Sequence, residues 1–385
     1  MVVIGIDPGT ATTGYGIIRE HNGGHNYTSW RNGLDRGLEW LFARLAEGVG
    51  GLWPVGSESL VRSLLVDGVI AGVGGVTAFL PNILLLYAAI AFLEDSGYMA
   101  RAAFLMDHWM HRIGLHGKSF IPMCLGFGCN VPAVLGARII ETRKAHMITL
   151  LLIPFVPCTA RLAVLTLVSA AIFRENAVYV SWSILALNIV VLGIAGVFVN
   201  KTLWKQDAPF IMELPIYHRP DLKTILMVIR SRTVSFVRKA GTVILGVSLL
   251  IWLLSYFPTG NVEESLLASV GKLLQPLGVP LGLDWKMITA LLTGLVAKEN
   301  VVATLGVLYS VGRDGLSQTL PTIMSQESAA AFLVVMMLFI PCAATMAAIK
   351  QESRSWGWVG ASVGLMLVIA FVLGVIVYQV GTLIS

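Results

Sequence analysis

Cys129 and Asn130 open the octet Cys129-Asn130-Val131-Pro132-Ala133-Val134-Leu135-Gly136, and Glu299 and Asn300 open Glu299-Asn300-Val301-Val302-Ala303-Thr304-Leu305-Gly306. The two asparagines lie 170 positions apart, and each octet precedes a strongly apolar run carrying Pro-Cys: Pro157-Cys158 and Pro341-Cys342. Three thiols, one carboxylate and two carboxamides make a mixed sulfur–oxygen donor set. That set suits a borderline or soft divalent cation better than Mg2+ or Ca2+, which take oxygen shells. The order of affinities alone does not choose among Fe2+, Zn2+ and Mn2+. Each residue also has a bland reading. A single buried Cys is usually a small hydrophobe, and Asn or Glu often only joins helices. Recurrence at equivalent places in two halves favours an ion path, because ionisable groups in hydrocarbon mark such paths.

Apolar elements must position these residues. The 385-residue chain is 56% hydrophobic and 13% charged, against about 25% charged in a soluble domain. Its mean hydropathy is +0.78. Runs long enough to span a bilayer, or nearly so, occur at 69–93, 147–173, 178–200, 240–257, 328–349 and 357–380. Two further stretches, 119–137 and 285–311, are interrupted by Gly, Pro and polar residues. The fold class expected is all-α: a polytopic membrane helix bundle of two inverted repeats with broken, re-entrant helices. Membrane lipid is its surroundings.

Charge orients the spans. The net charge of +5 sits largely in loops, as the positive-inside rule requires, and not on a nucleic-acid-binding face. Lys201, Lys205, Arg219, Lys223, Arg230, Arg232, Arg238 and Lys239 outnumber Asp207, Glu213 and Asp221, so 201–239 is read as a basic cytoplasmic loop. Arg138, Arg143 and Lys144 place a second loop inside, and Glu263, Glu264 and Asp284 place 258–284 outside. The halves then run in opposite directions. Re-entrant backbone of this kind is tolerated where protein or a water-filled cavity surrounds it.

The breaks expose chemistry. Gly126-Phe127-Gly128-Cys129-Asn130-Val131-Pro132 does not read as one helix, since two glycines loosen it and Pro132 donates no amide. Gly294-Leu295-Val296-Ala297-Lys298-Glu299-Asn300 brings a carboxylate and an amine, which must pair or face water inside hydrocarbon. Glu94 and Asp95, at the cytoplasmic end of the first span, are placed to attract cations. His108, His111 and His116 lie on an amphipathic stretch away from the breaks, where a solvated role is expected. Cys124 has no repeat counterpart and is left unassigned. All four cysteines (Cys124, Cys129, Cys158, Cys342) fall in apolar segments, so no disulfide framework is expected. Without a basic start and apolar run, no cleavable signal peptide is expected.

Residues 1–18 differ in kind: a β-branched run, an Asp7-Pro8-Gly9-Thr10 turn and a second short strand predict a hairpin. This segment resembles the opening strand of a RuvC-type Holliday junction resolvase, in which the matching Asp7 implies a metal-binding carboxylate. A two-metal nuclease needs several carboxylates at one polar site, which the apolar remainder does not supply. Nuclease activity and a nucleic-acid partner are not expected. The layout read from the sequence is 1–20 as a foreign, resolvase-like segment, 21–66 as an interfacial amphipathic segment, 67–200 as the first repeat, 201–239 as the basic loop, and 240–385 as the second repeat.

Several strings resemble the membrane domain of ferrous iron transport protein B (FeoB). They are Leu64-Leu65-Val66-Asp67-Gly68-Val69, Glu94-Asp95-Ser96-Gly97-Tyr98-Met99-Ala100-Arg101, His116-Gly117-Lys118-Ser119-Phe120-Ile121-Pro122, and the two break motifs, which are similar to that family's Gate motifs. The resemblance implies Fe2+ as transported substrate across the bacterial inner membrane, with Cys129, Cys158 and Cys342 lining the path. Glu299, Asn130 and Asn300 complete the expected donor set, and Glu94, Asp95 and Lys298 are auxiliaries. The family implies coupling to a GTP-binding domain and to small Feo accessory proteins, and a homo-oligomer is compatible with it. No Gly-x-x-x-x-Gly-Lys-Ser/Thr string occurs in these 385 residues, so they are expected to hold no nucleotide site and to be a transporter, not an enzyme. A Gate-type nucleoside or solute permease, or a non-transporting remnant, remain the alternatives.

Overall fold

The computed structural model describes residues 2–7, 14–21, 24–28, 44, 64–70, 73–74, 77, 80–112, 115, 117–203, 220–257, 264–309 and 319–384. Most of the expected interfacial segment 21–66 lies outside the described residues. The expected hairpin is present: β1 (Val2–Asp7) pairs antiparallel with β2 (Gly14–His21), Ile4 opposite Ile17. A third strand, β3 (Gly24–Thr28), continues the meander and pairs with β2. Its residues fall in the segment 21–66 expected to be interfacial and amphipathic, and carry no β-branched run before Thr28 to mark a strand.

The rest is helical. The first half comprises α1 (Leu80–Asp95), α2 (Tyr98–Arg112), α3 (Phe120–Gly128), α4 (Asn130–Gly136), α5 (Arg143–Leu152), α6 (Thr159–Phe173) and α7 (Ala177–Leu203). Next comes α8 (Leu222–Phe236). The second half repeats the order: α9 (Thr242–Tyr256), α10 (Leu266–Gly278), α11 (Trp285–Thr293), α12 (Asn300–Leu308), α13 (Gln326–Leu338), α14 (Ala343–Ser353) and α15 (Trp356–Ile384). Each half therefore runs as a helix, an amphipathic helix, a broken pair, a second broken pair and a long apolar helix. The all-α membrane bundle expected from composition is what forms.

Two expectations are corrected. The Pro-Cys runs 147–173 and 328–349 are not single helices. The first stops at a 3-10 turn over Ile153–Phe155 and restarts at Thr159, with Cys158 extended between them (φ −78°, ψ 163°). The second stops at Leu338 and restarts at Ala343, with Phe339 and Cys342 both extended (ψ 166° and 155°). Pro157 and Pro341 withhold an amide and push the preceding residue out of the helical region, so both segments break completely. The basic stretch 201–239 is also more than a loop, since it contains α8. Asp221 starts that helix by accepting from the Thr224 amide at 3.1 Å.

Among the described residues three helical stretches, the first two taken across the breaks at Cys158 and Cys342, are long and apolar enough to cross a membrane: 143–202, 326–353 and 356–383. The pair α10 and α11 passes the same test together but is bent by 109°. That bend turns on Gly282, whose φ of 67° favours glycine. Burial separates centre from rim: 72% of the apolar window in 326–353 lies inside the protein, against 28% in 356–383. Helix α13 is thus the central post, with Phe332, Met336 and Met337 fully buried, and α15 packs along its outer side. Helix α13 also packs on α6, and α14 on α4, so the two halves interlock at their broken pairs.

Candidate ion passage at the helix breaks

Four helices begin inside the protein at a residue expected to bind a cation. Cys129 precedes α4, Cys158 precedes α6, Glu299 precedes α12 and Cys342 precedes α14, and none of these side chains forms a regular cap hydrogen bond to a backbone amide, although Cys342 Sγ bonds to Thr345 Oγ1 of α14 at 3.2 Å and the Cys129 and Cys158 thiols face the Val131 and Arg161 amides. Elsewhere the side chains of Asp221, Ser265, Asp284 and Ser325 do cap the helices they precede. Helix starts also attract negative charge, which favours a carboxylate there over a cation.

The breaks are tied to one another. The Thr159 hydroxyl donates to the Gly128 carbonyl at 3.0 Å, fastening the start of α6 to the end of α3. In the second half the Ala343 amide donates to the Leu295 carbonyl at 2.7 Å, fastening α14 to the α11–α12 break. Across the halves, Cys129 and Cys342 pack against the same buried cluster, formed by Val131, Val134, Ala344 and Ile349 among others. Cys129 lies within electrostatic reach of Cys158, Cys342 and Glu299. All three cysteines are half-buried, whereas Cys124 is exposed. Asn130 is buried, and both its Oδ1 and Glu299 Oε1 lack a hydrogen-bond partner. Asn300 is half-buried at the first position of α12.

These groups are neighbours, yet among the described residues no three His, Cys, Asp or Glu side chains stand close enough to hold a metal ion.

The structure adds a residue that the sequence reading passed over. Arg161, three positions after Cys158, is 1% exposed and lies inside the bundle. Its guanidinium donates to the Pro154 carbonyl at 2.7 Å and to the Phe339 carbonyl of the other half at 2.8 Å. The signal was available: a lone charge in an apolar run is a functional pointer by default. Lys298, 4% exposed, donates to the Ile340 carbonyl at 2.6 Å. At the far end of α1, Glu94 accepts from Arg232 at 2.8 Å and Asp95 accepts from the Asp221 amide at 2.8 Å. Both acidic residues are thus engaged by α8. His108 is exposed on α2, away from the breaks.

The family model Gate, described as nucleoside recognition, matches residues 76–172 and 237–356, more than half of the chain. The chain belongs to the Gate family. Between the two Gate segments, residues 181–232 match the model for the ferrous iron transport protein B C terminus. Among curated relatives, an Fe(2+) transporter FeoB of Staphylococcus aureus is 44% identical over 335 residues, covering 86% of this chain and 50% of that protein. One of Methanocaldococcus jannaschii is 39% identical over 359 residues, covering 90% and 53% respectively. A Porphyromonas gingivalis protein named as a fusion of Fe(2+) transport protein A with the Fe(2+) transporter FeoB is 37% identical over 404 residues, covering 91% and 47%. The chain spans about half the length of these relatives and carries the membrane region of FeoB. A solved structure of CNTnw in an outward-facing state aligns with a TM-score of 0.41 at 13% identity, over 90% of this chain and 82% of that one.

Proposed function

We propose that this Gate chain is a multi-pass permease of the bacterial inner membrane that conducts Fe2+ between two inverted repeats. Cys129, Cys158 and Cys342 offer sulfur, Glu299 a negative charge, and Asn130 and Asn300 carbonyl oxygens, as weak successive ligands. The observation that carries this reading is the gathering of the breaks: Cys129, at the start of α4, lies within electrostatic reach of Cys158, Glu299 and Cys342, each at the start of another helix. A mixed sulfur–oxygen file selects a borderline divalent cation over Mg2+ or Ca2+. Glu94 and Asp95 draw the cation toward the cytoplasmic mouth once Arg232 and the Asp221 amide release them. The relatives named for Fe2+ transport support the substrate, and their greater length leaves room for a GTP-binding domain that gates it. The fusion in the Porphyromonas relative supports an accessory partner of the Fe(2+) transport protein A type.

The chain, purified and reconstituted into proteoliposomes under anaerobic conditions, is expected to take up Fe2+, with Zn2+ or Mn2+ competing and uridine without effect. Uptake of uridine that divalent cations do not inhibit would replace this reading with a Gate-type nucleoside permease.

A further inference from the structure

Arg161 and Lys298 are two buried cations from opposite halves, and among the described residues neither forms an ion pair. Both donate to backbone oxygens beside the two Pro-Cys turns, Pro154 and Phe339 for Arg161 and Ile340 for Lys298, while Arg161 Nε has no partner among the described residues. The proline breaks are what free these carbonyls from helical partners. Freed carbonyls beside a passage are the groups a dehydrating cation uses in place of water. The Lys298 ammonium also lies 5.4 Å from the centre of the Phe339 ring, a second cation-binding surface at the same turn. The two charges lie within electrostatic reach of each other and of Cys158 and Cys342.

We propose that Arg161 and Lys298 are tethered stand-ins for the transported cation, occupying its carbonyl ligands at the Pro-Cys turns and keeping the passage shut until they swing away. This rests on the reading of the breaks as an ion passage. The guanidinium and the amine exclude an incoming cation while they sit there, and their displacement returns three carbonyls to the path. Arg161 and Lys298 are therefore positioning and selectivity residues, and not ligands. Because each half contributes one of them, closure depends on the halves meeting at α6, α12 and α14.

Cys342 reports on this without iron. In the full chain carrying Cys124→Ala, Cys129→Ser and Cys158→Ser, Cys342 is the remaining thiol, and its modification by a cationic methanethiosulfonate in proteoliposomes reads access for positive charge. Lys298→Met is expected to raise that rate about tenfold or more, with a smaller gain for the anionic reagent, while Lys298→Arg stays at the parent rate. Arg161→Lys, which keeps a charge in the buried site, is expected to behave as Lys298→Arg does, and gel filtration checks that each variant is folded. A rate unchanged by Lys298→Met would overturn the proposal. So would an equal rise with Lys298→Arg, which would mean looser packing and not lost charge. Iron flux in cysteine variants tests the passage itself, so failure of the one is distinguishable from failure of the other.

Discussion

Arg138 and Glu352 grip each other through two hydrogen bonds, Nε to Oε2 at 2.8 Å and Nη2 to Oε1 at 2.6 Å, across 214 positions of sequence. The pair joins the turn after α4 to the last turn of α14, so the two halves meet here as well as at the breaks. The partners differ in burial: the Glu352 side chain is 6% exposed and that of Arg138 58%. Removing the arginine strands a buried carboxylate, whereas removing the glutamate returns an arginine to water. Arg138→Ala is therefore expected to cost about 1–3 kcal/mol in detergent-solubilised unfolding, and Glu352→Ala only about 0.5 kcal/mol. Equal losses would mean that burial does not govern the pair.

The start of α8 is expected to respond to pH. Asp221 accepts from both the hydroxyl and the amide of Thr224, and these hydrogen bonds hold its carboxyl below the usual carboxylate range. Stabilisation from a depressed carboxyl is complete above its free value and fades as pH falls through the depressed one. Hydrogen exchange at the Thr224 amide is expected to quicken as pH drops into that window, relative to amides in the middle of α8. In Asp221→Ala it should be fast throughout, with no such step.

Gly282 closes the bend between α10 and α11 at a left-handed φ of 67°, and a Cβ there would collide with the Tyr378 ring of α15. Gly282→Ala is expected to destabilise the chain by about 1–3 kcal/mol. Adding Tyr378→Ala should recover only the steric part of the loss, since the backbone strain stays. Full recovery would show that strain contributes nothing.

Thr159 fastens the two broken pairs of the first half through its bond to the Gly128 carbonyl. Thr159→Val keeps the shape and removes the donor, at an expected cost of about 1 kcal/mol. Alkylation of Cys129, the residue after Gly128, should quicken in the variant. An unchanged rate would mean the hydroxyl does not set that break.

Much of this was legible in the chain because the local causes are local. Two glycines and Pro132 break the helix at Cys129 whatever surrounds them, and the repeat at Asn300 marks the second break. The amphipathic stretch that carries His108 and His111 became α2. What escaped depends on distant partners. A proline in an apolar run is compatible with a kink or a full break, and at Pro341 the outcome is tied to Arg161 and Lys298 donating into the freed carbonyls. Arg161 meets Phe339 178 positions away, a juxtaposition that no spacing rule contains. Helix α8 hid in a stretch dominated by basic charge, where its Asp221 cap was the remaining local sign. The engagement of Glu94 and Asp95 by α8 was likewise invisible to a reading that treated them as free attractors.

The most direct measurement is anaerobic Fe2+ uptake by proteoliposomes holding either the unaltered chain or Cys129→Ser with Cys342→Ser, at matched reconstitution. If sulfur from both halves lines one passage, flux in the double variant falls about tenfold or more. Flux equal to that of the unaltered chain would remove the thiols from the path, and with them the claim that the two repeats meet to carry iron.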